Sequence, residues 1–332
     1  MPVTPRLPDR RPSTIRDVAA SAGVSTATVS RVLSGNRASE DDIAARVRAA
    51  ATALDFRPNP SAQGLRRPVA AVGVVVPDLA NPYFAEVLQG INEAAEGAGR
   101  RMVVADARED ADREVRLVHD LTRWASGIIL CSPRMPARQL ADLSGSIDRP
   151  LVCVNRPAPG RPAVLIDFAA GIREICAHLR ELGHEHVAYL GGPAQSWSDG
   201  ERRRALRVEA RSGLTIDLLP CGSSIPDGHA ATDAAVATGA TAFIAFSDFV
   251  ALGVLMRAAE RGLRVPEDVS LTGFDDIPVS RIAGPGLTTV TVDKPGLGRS
   301  AHDLLLSPDD ARRIRVRPSL IVRGSTGPAR RG

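Results

Sequence analysis

The sequence predicts an all-α head followed by an α/β core built on parallel sheets, and three observations predict it. Residues 14–33, TIRDVAASAGVSTATVSRVL, read as two short helices around a glycine-bearing turn. From residue 69 onward, β-branched runs alternate with amphipathic stretches, the pattern of parallel strands with helices on both faces. The excess of basic over acidic charge is confined to the first 68 residues, where 11 Arg face 6 Asp and Glu for a net of +5; the whole chain carries +4, so the remainder holds about −1.

The first helix opens at Thr14, with Asp17 three residues on, the capping-box spacing that satisfies free amides at a helix start. Ile15, Val18, Ala19 and Ala22 then recur at helical spacing and form one apolar face. Gly23 accommodates the left-handed backbone that ends such a helix, and Ser25 caps the next one. A turn this short makes the second helix cross the first steeply, as in a helix-turn-helix. Val29, Val32 and Leu33 point inward, which leaves Thr26, Ala27 and Arg31 for base edges and Thr28 and Ser30 for phosphates. A recognition helix works with its N-terminal residues in the major groove; Thr14 and Ser25, at the two helix starts, join the DNA-contacting positions. Ser39 and Asp42 repeat the capping box ahead of a third helix with Ile43, Val47, Ala50 and Leu54 as its apolar stripe. Spacing alone also fits a generic three-helix piece of core. The charge concentrated here is the footprint of phosphate contacts and favours the DNA reading.

After the head, Pro58 and Pro60 bracket Asn59, and SAQGLRR forms one short helix that Pro68 stops. Gly64 weakens that helix by roughly 1 kcal/mol relative to alanine, so it is unstable alone. A plain flexible linker is the alternative on spacing.

The 332 residues leave room for more than one domain, and 44% hydrophobic residues suffice for a core. No apolar run approaches the roughly 20 residues that span a bilayer, so no membrane partner is expected. Residues 1–13, MPVTPRLPDRRPS, are expected to form a disordered extension rather than a secretory signal, because no hydrophobic segment accompanies the arginines and prolines. Cys131, Cys153, Cys176 and Cys221 lie far apart with neither metal-ligand spacing nor secretory context; reduced, mostly buried thiols and a cytoplasmic location are expected.

In the core, VAAVGVVVP, RMVVADA, SGIILCS, PLVCVNR, HVAYLGG, TAFIAFS and VSLTGFDD read as strands, with helices such as AEVLQGINEAAEGAG between them. Sheets of this kind bind small ligands at the carboxyl ends of strands, near points where strand order reverses. DLANPYF follows the first strand, so Asp78, Asn81, Tyr83 and Phe84 offer polar groups and an aromatic wall, a mixture that suits a sugar. Packing of the helix onto the sheet is the alternative role for the two rings. Asn155 and Arg156 end the PLVCVNR strand. No G-x-S-x-G elbow, H-E-x-x-H pair, Walker loop or G-x-G-x-x-G is present. His184 and His186, two apart with no cysteine nearby, read as structural. Neither catalysis, a metal nor a cofactor is expected.

Taken in order, TIRDVAASAGVSTATVSRVLSG, ALDFRPNP, SAQGLRR, AVGVVVPDLANPYFAEVLQGI, HLRELGHEHVAYLGGP, FSDFVALG and LTGFDDIP closely resemble the LacI/GalR family of bacterial transcription regulators over nearly the whole chain. The resemblance implies a helix-turn-helix domain over 14–58, a hinge helix or linker over 59–68, and a ligand-binding and dimerisation core over 69–332. That core is implied to hold two parallel-sheet subdomains around a cleft, like the periplasmic sugar-binding proteins. The hinge is implied to fold when two subunits dock on DNA, with Leu65 wedged between central base steps, Ala62 in the minor groove and Asn59 also in contact; such wedges kink DNA. Arg202 corresponds to the family's ligand-binding arginine, with Arg203 and Arg204 solvent-facing or in surface pairs. Ser247 and Asp248 match an Asn-Asp-x-x-Ala-x-Gly pattern in which Ser247 replaces the Asn. Asp275 faces the ligand while Asp276 supports the backbone, and Asn155 stands where many members carry Asp.

The function so implied is that of a regulator, a repressor and not an enzyme. A homodimer sets two recognition helices on a near-palindromic double-stranded operator. A small effector in the cleft, a sugar, changes operator affinity through a coupling of typically 1–3 kcal/mol. STGPARRG at the C-terminus lacks an apolar heptad, which implies a dimer rather than a tetramer. Two alternatives stand beside this: a sugar-binding protein without DNA function, which would lack the head, and a sugar-modifying enzyme with an appended helical head, which would need a reactive set in the cleft.

Overall fold

A computed structural model describes residues 13–33, 42–56, 71–306, 309 and 312–330. The chain divides into two units, Met1–Val69 and Ala70–Gly332. The expectations for the N-terminal extension, for Ser39 and for the hinge with Asn59, Ala62 and Leu65 lie outside the described residues.

In the head, α1 (Ile15–Ala22), α2 (Thr26–Leu33) and α3 (Asp42–Ala53) enclose Val18, Ala22, Val29, Val32, Ala44 and Val47. The Asp17 carboxylate accepts from both the backbone N–H and the hydroxyl of Thr14 at 2.7 Å, which fixes the start of α1. Gly23 takes a φ of +66°, and Val24 N–H reaches back to the Ala19 carbonyl at 3.0 Å, the closure of a glycine-ended helix. Arg46 of α3 donates to the Ala22 carbonyl at 2.5 Å, so the third helix satisfies an orphan carbonyl of the first. Ser25 Oγ accepts from Thr28 N–H at 3.2 Å and caps α2. Ile15, Leu33, Ile43 and Leu54 sit half-buried at the rim, and Phe56, outside the predicted stripe, packs with them.

The core begins with β1 (Ala71–Val76), α4 (Pro82–Gly97), β2 (Arg101–Asp106), α5 (Ala111–Thr122), β3 (Ala125–Cys131), α6 (Ala137–Ser146), β4 (Leu151–Val154) and β5 (Ala163–Ile166). The chain then crosses to a second half: α7 (Phe168–Glu181), β6 (His186–Gly191), α8 (Trp197–Ala210), β7 (Thr215–Pro220), α9 (Ile225–Ala237), β8 (Ala242–Ala245), α10 (Asp248–Glu260), β9 (Ser270–Thr272) and β10 (Thr289–Thr291). It returns to the first half with α11 (Lys294–Leu305) and β11 (Arg313–Val316), and crosses once more to β12 (Ser319–Ile321).

The first sheet runs β11-β5-β4-β3-β1-β2 and the second β7-β6-β8-β9, all parallel, while β10 and β12 form an antiparallel pair. β1 lies between β2 and β3, and β6 between β7 and β8, so each sheet contains a point where strand order reverses. Every residue of β1, β4, β5 and β8 is buried, which is why these segments read as unbroken apolar runs rather than alternating ones. Five strands fall outside the seven predicted runs. β10 and β12 have three residues each, β5 has four, and β7 and β11 are sheet edges whose residues stay partly exposed. Cys131, Cys153 and Cys176 are buried thiols and Cys221 is half-buried. Among the described residues, no helix is long and apolar enough to cross a membrane.

Candidate functional site

The carboxyl ends of the two sheets face a common cleft. The first half contributes Asn81, Tyr83, Phe84, Glu109, Ser132, Arg134, Asn155 and Ile166, and the second Phe168, Ser198, Arg202, Ser223, Phe246 and Asp275. Four of these residues have positive φ: Glu109 at 57°, Ser132 at 45°, Asn155 at 63° and Asp275 at 109°. Such conformations cost non-glycine residues on the order of 1–3 kcal/mol and concentrate at ligand sites. Here they turn the chain sharply after its strands, so that side chains point into the cleft.

On the first half, Asn81 Oδ1 accepts from Tyr83 N–H at 3.0 Å and caps α4. The helix start thereby delivers Tyr83 and Phe84, whose rings meet edge to face at 5.1 Å. Asn155 Nδ2 donates to the Tyr83 hydroxyl at 2.7 Å and to Ser132 Oγ at 3.1 Å. Its buried Oδ1 has no partner among the described residues and is free to accept from a ligand hydroxyl. Burial, reinforced by the charge of Asp275, pushes the Tyr83 hydroxyl far above its ordinary pKa, so it stays a neutral donor.

Arg134 is aimed by its loop. The Glu114 carboxylate of α5, fully buried, accepts from the Arg134 and Met135 N–H groups at 2.9 and 3.1 Å. Arg156 donates to the carbonyls of Pro133 and Met135 at 2.9 and 2.7 Å. Burial pushes the Glu114 carboxyl up to about 7 against the pull of those N–H groups and of Arg134 and Arg156. The guanidinium of Arg134 then reaches Glu109 through Nε at 2.5 Å and Nη2 at 3.0 Å. An ion pair thus forms part of the cleft wall.

On the second half, Arg202 is buried with its guanidinium carbon 3.8, 4.7 and 4.9 Å from the ring centres of Phe274, Phe246 and Phe168. It donates to the Phe246 carbonyl, and its Nε lacks a partner among the described residues. Burial pushes the Asp275 carboxyl up to about 7, with Arg202 and Lys294 pulling it down. The cleft therefore presents a caged cation, a carboxylate, an amide and several hydroxyls within aromatic walls. Paired polar groups between flat apolar faces are the means of holding a polyol.

Of the expected ligand residues, Tyr83, Phe84, Asn155, Arg202 and Asp275 come together in the cleft, and Asp78, Ser247 and Asp248 do not line it. Asp78 Oδ1 accepts from Ala80 N–H at 2.9 Å within its own turn. Ser247 caps α10 through Val250 N–H at 3.3 Å. Asp248 is buried behind the wall, where it accepts from Ile277 N–H at 2.9 Å and the Thr289 hydroxyl at 2.5 Å. It braces the loop that carries Asp275. Burial, then the charge of Asp275, pushes its carboxyl up to about 8. Arg203 is not a surface residue: it is half-buried over Tyr189 and donates to Asp199 at 2.5 Å, whereas Arg204 pairs with Glu201 in the open. Sequence reasoning passed over Glu109, Ser132, Arg134, Ser198, Ser223, Phe168 and Phe246. Ser132 and Phe246 end recognised strand runs, so position alone was their signal; Arg134 and Ser223 sit in loops without a pattern.

In the head, Ser25, Thr26, Ala27 and Arg31 are exposed along α2, and Thr28 and Ser30 are half-buried. Arg31 Nε donates to the Ala27 carbonyl at 3.4 Å, and the Ser25 and Thr28 hydroxyls lie 2.9 Å apart. Thr14 commits its N–H and hydroxyl to Asp17.

Residues 14–59 match the family model described as bacterial regulatory proteins, lacI family, and residues 176–326 match the periplasmic binding protein-like domain. The chain is 31% identical over 303 residues to the HTH-type transcriptional regulator GalS of Salmonella typhimurium, covering 88% of this chain and 89% of that one. Its fold is similar to the crystal structure of the lac repressor dimer bound to operator and the anti-inducer ONPF, with a TM-score of 0.80 at 27% identity over 96% of this chain and 100% of that one. It is also similar to a LacI family transcriptional regulator from Enterococcus faecium with bound ribose, with a TM-score of 0.66 at 25% identity over 78% of this chain and 100% of that one. The likeness runs along almost the full length of a known regulator, and the chain belongs to the lacI family of bacterial regulatory proteins.

Proposed function

We propose that the chain is a cytoplasmic transcriptional repressor that binds a near-palindromic operator as a homodimer and releases or tightens its hold when a sugar enters the core cleft. The observation that carries the effector half is the convergence of Arg202, Asp275, Asn155 and Tyr83 from both sheets on one aromatic-walled space. Thr26, Ala27 and Arg31 read base edges; Thr14, Ser25, Thr28 and Ser30 approach phosphates. Asn59, Ala62 and Leu65 of the hinge complete the DNA contact set. Asp78, Ser247 and Asp248 act on the effector through the loops they hold.

Fluorescence anisotropy with fragments of the gene's own upstream region tests the DNA half. Binding is expected to be sequence-selective, to weaken steeply with salt, and to lose affinity by about 1–3 kcal/mol in Arg31→Ala. A thermal-shift screen over neutral sugars tests the effector half, since a ligand at 100 times its dissociation constant adds roughly 2.7 kcal/mol of stability. Equal sugar affinity with and without operator would sink the coupling, because linkage is reciprocal.

A further inference from the structure

Lys294 is the only lysine in the chain, against 41 arginines, and it is buried. It opens α11, just after the chain has crossed back from β10 to the first half. Its Nζ donates to the Asp275 carbonyl at 2.6 Å and the Asp276 carbonyl at 3.1 Å, and lies 3.4 Å from Glu86 Oε1 on α4. Two carbonyls bonded to Nζ and one carboxylate paired with it, from two halves of the core, surround one ammonium.

The two carbonyls belong to a strained turn. Asp275 has a φ of 109° and Asp276 of 48°, two successive non-glycine residues in the left-handed region, which persist only where their surroundings hold them. The anchor itself is rigid. A Cβ on Gly90 of α4 would lie 1.9 Å from the Pro295 carbonyl oxygen, and one on Gly298 of α11 would lie 2.2 Å from that of Val87, so the two helix backbones are in direct contact. The position of the first half is thereby passed through α11 and Nζ to the turn that aims Asp275. Arginine does not replace this group: its planar fork spreads its donors in one plane at the end of a longer side chain, where an ammonium gathers both carbonyls and the carboxylate around a point.

We propose that Lys294 is a positioning residue: by tying the Asp275–Asp276 carbonyls to α11, it holds the Asp275 carboxylate in the cleft and makes that placement depend on how the two halves stand to each other. The inference rests on the effector reading of the cleft.

The test uses full-length Lys294→Met, Lys294→Arg and the double variant Lys294→Met/Glu86→Gln. D-ribose, the sugar in the Enterococcus faecium relative, is the calorimetric probe, and a crystal structure of each variant gives the backbone angles at 275 and 276. Both single variants are expected to bind ribose at least tenfold more weakly and to let the turn relax toward negative φ. The double variant is expected to stay weak, since its carbonyls remain unanchored. Recovery in the double variant would show that Lys294 only neutralises Glu86 and would overturn the proposal, as would an unchanged turn in Lys294→Met. A wild type that binds no ribose counts against the sugar reading alone, and the turn geometry then decides for Lys294. If Lys294→Met does not fold, wild type labelled with 15N-lysine gives a single ammonium signal, expected to exchange slowly and to couple to both carbonyls; exchange as fast as in free lysine overturns the proposal.

Discussion

The guanidinium carbon of Arg202 stands 3.8 Å from the centre of the Phe274 ring, with Phe246 and Phe168 closing the cage at 4.7 and 4.9 Å. Stacking of a desolvated planar cation on aromatic faces is worth about 2 kcal/mol. Arg202→Lys keeps the charge but replaces the plane with a compact ammonium. It is expected to lower effector affinity about tenfold or more, measured by calorimetry with the sugar that the thermal-shift screen selects. Wild-type affinity in the lysine variant would mean that charge alone serves the ligand.

Asn155 combines a backbone φ of 63° with an amide that bonds Tyr83 and Ser132. Glycine takes that backbone at no steric cost, whereas alanine pays roughly 1 kcal/mol for its Cβ. Both substitutions lose the same two side-chain hydrogen bonds. Urea denaturation should therefore rank wild type above Asn155→Gly and Asn155→Gly above Asn155→Ala, the last two separated by about 1 kcal/mol. The reverse order for the two variants would remove the strain argument for this strand end.

Legibility followed physical depth. α1 and α2 could be read because Thr14, Gly23 and Ser25 carry their caps in local sequence, and β1 and β8 because burial on both faces leaves unbroken β-branched runs. β11 could not, since Arg313 and Arg315 alternate along a sheet edge and look like any charged loop. In the cleft, Tyr83 and Asn155 were visible as polar or aromatic residues at strand ends. Arg134 was not, because what aims it is a buried carboxylate 20 residues away, Glu114, and such a partnership exists only after folding. Ser247 and Asp248 looked like ligand groups for the opposite reason: they follow β8 in the right place, but Ser247 Oγ caps α10 and the Asp248 carboxylate takes up Ile277 N–H and the Thr289 hydroxyl.

Glu114 should give stability a distinctive pH dependence. Burial raises its carboxyl from the ordinary value near 4.5 to about 7, so between those values the folded chain holds a proton that the unfolded chain has released. The sign follows: the contribution is fully present below about 4.5 and is lost as pH rises to about 7, by roughly 3 kcal/mol across the window. Glu114→Gln carries no titrating group there. The difference in unfolding free energy between wild type and Glu114→Gln is expected to shift against wild type from pH 4.5 to 7 and to stay level above it. A difference independent of pH would show that the N–H groups of Arg134 and Met135 offset the burial.

Gly298 and Gly200 separate contact from helix propensity. Both lie inside helices, α11 and α8, where alanine is favoured over glycine by about 1 kcal/mol. At Gly200 a Cβ meets nothing within 4 Å, while at Gly298 it would meet the Val87 carbonyl oxygen at 2.2 Å and Ile91 N at 2.7 Å. Those atoms are backbone of α4 and cannot rotate aside, so relief requires moving α11 off α4, with overpacking costs of typically 1–3 kcal/mol. Gly200→Ala is expected to raise stability by about 1 kcal/mol in urea denaturation and Gly298→Ala to lower it by about 2 kcal/mol or more. Because α11 also carries Lys294, the Gly298 variant should weaken sugar binding as well, and a variant that loses stability but binds the sugar as wild type does would uncouple the helix contact from the cleft.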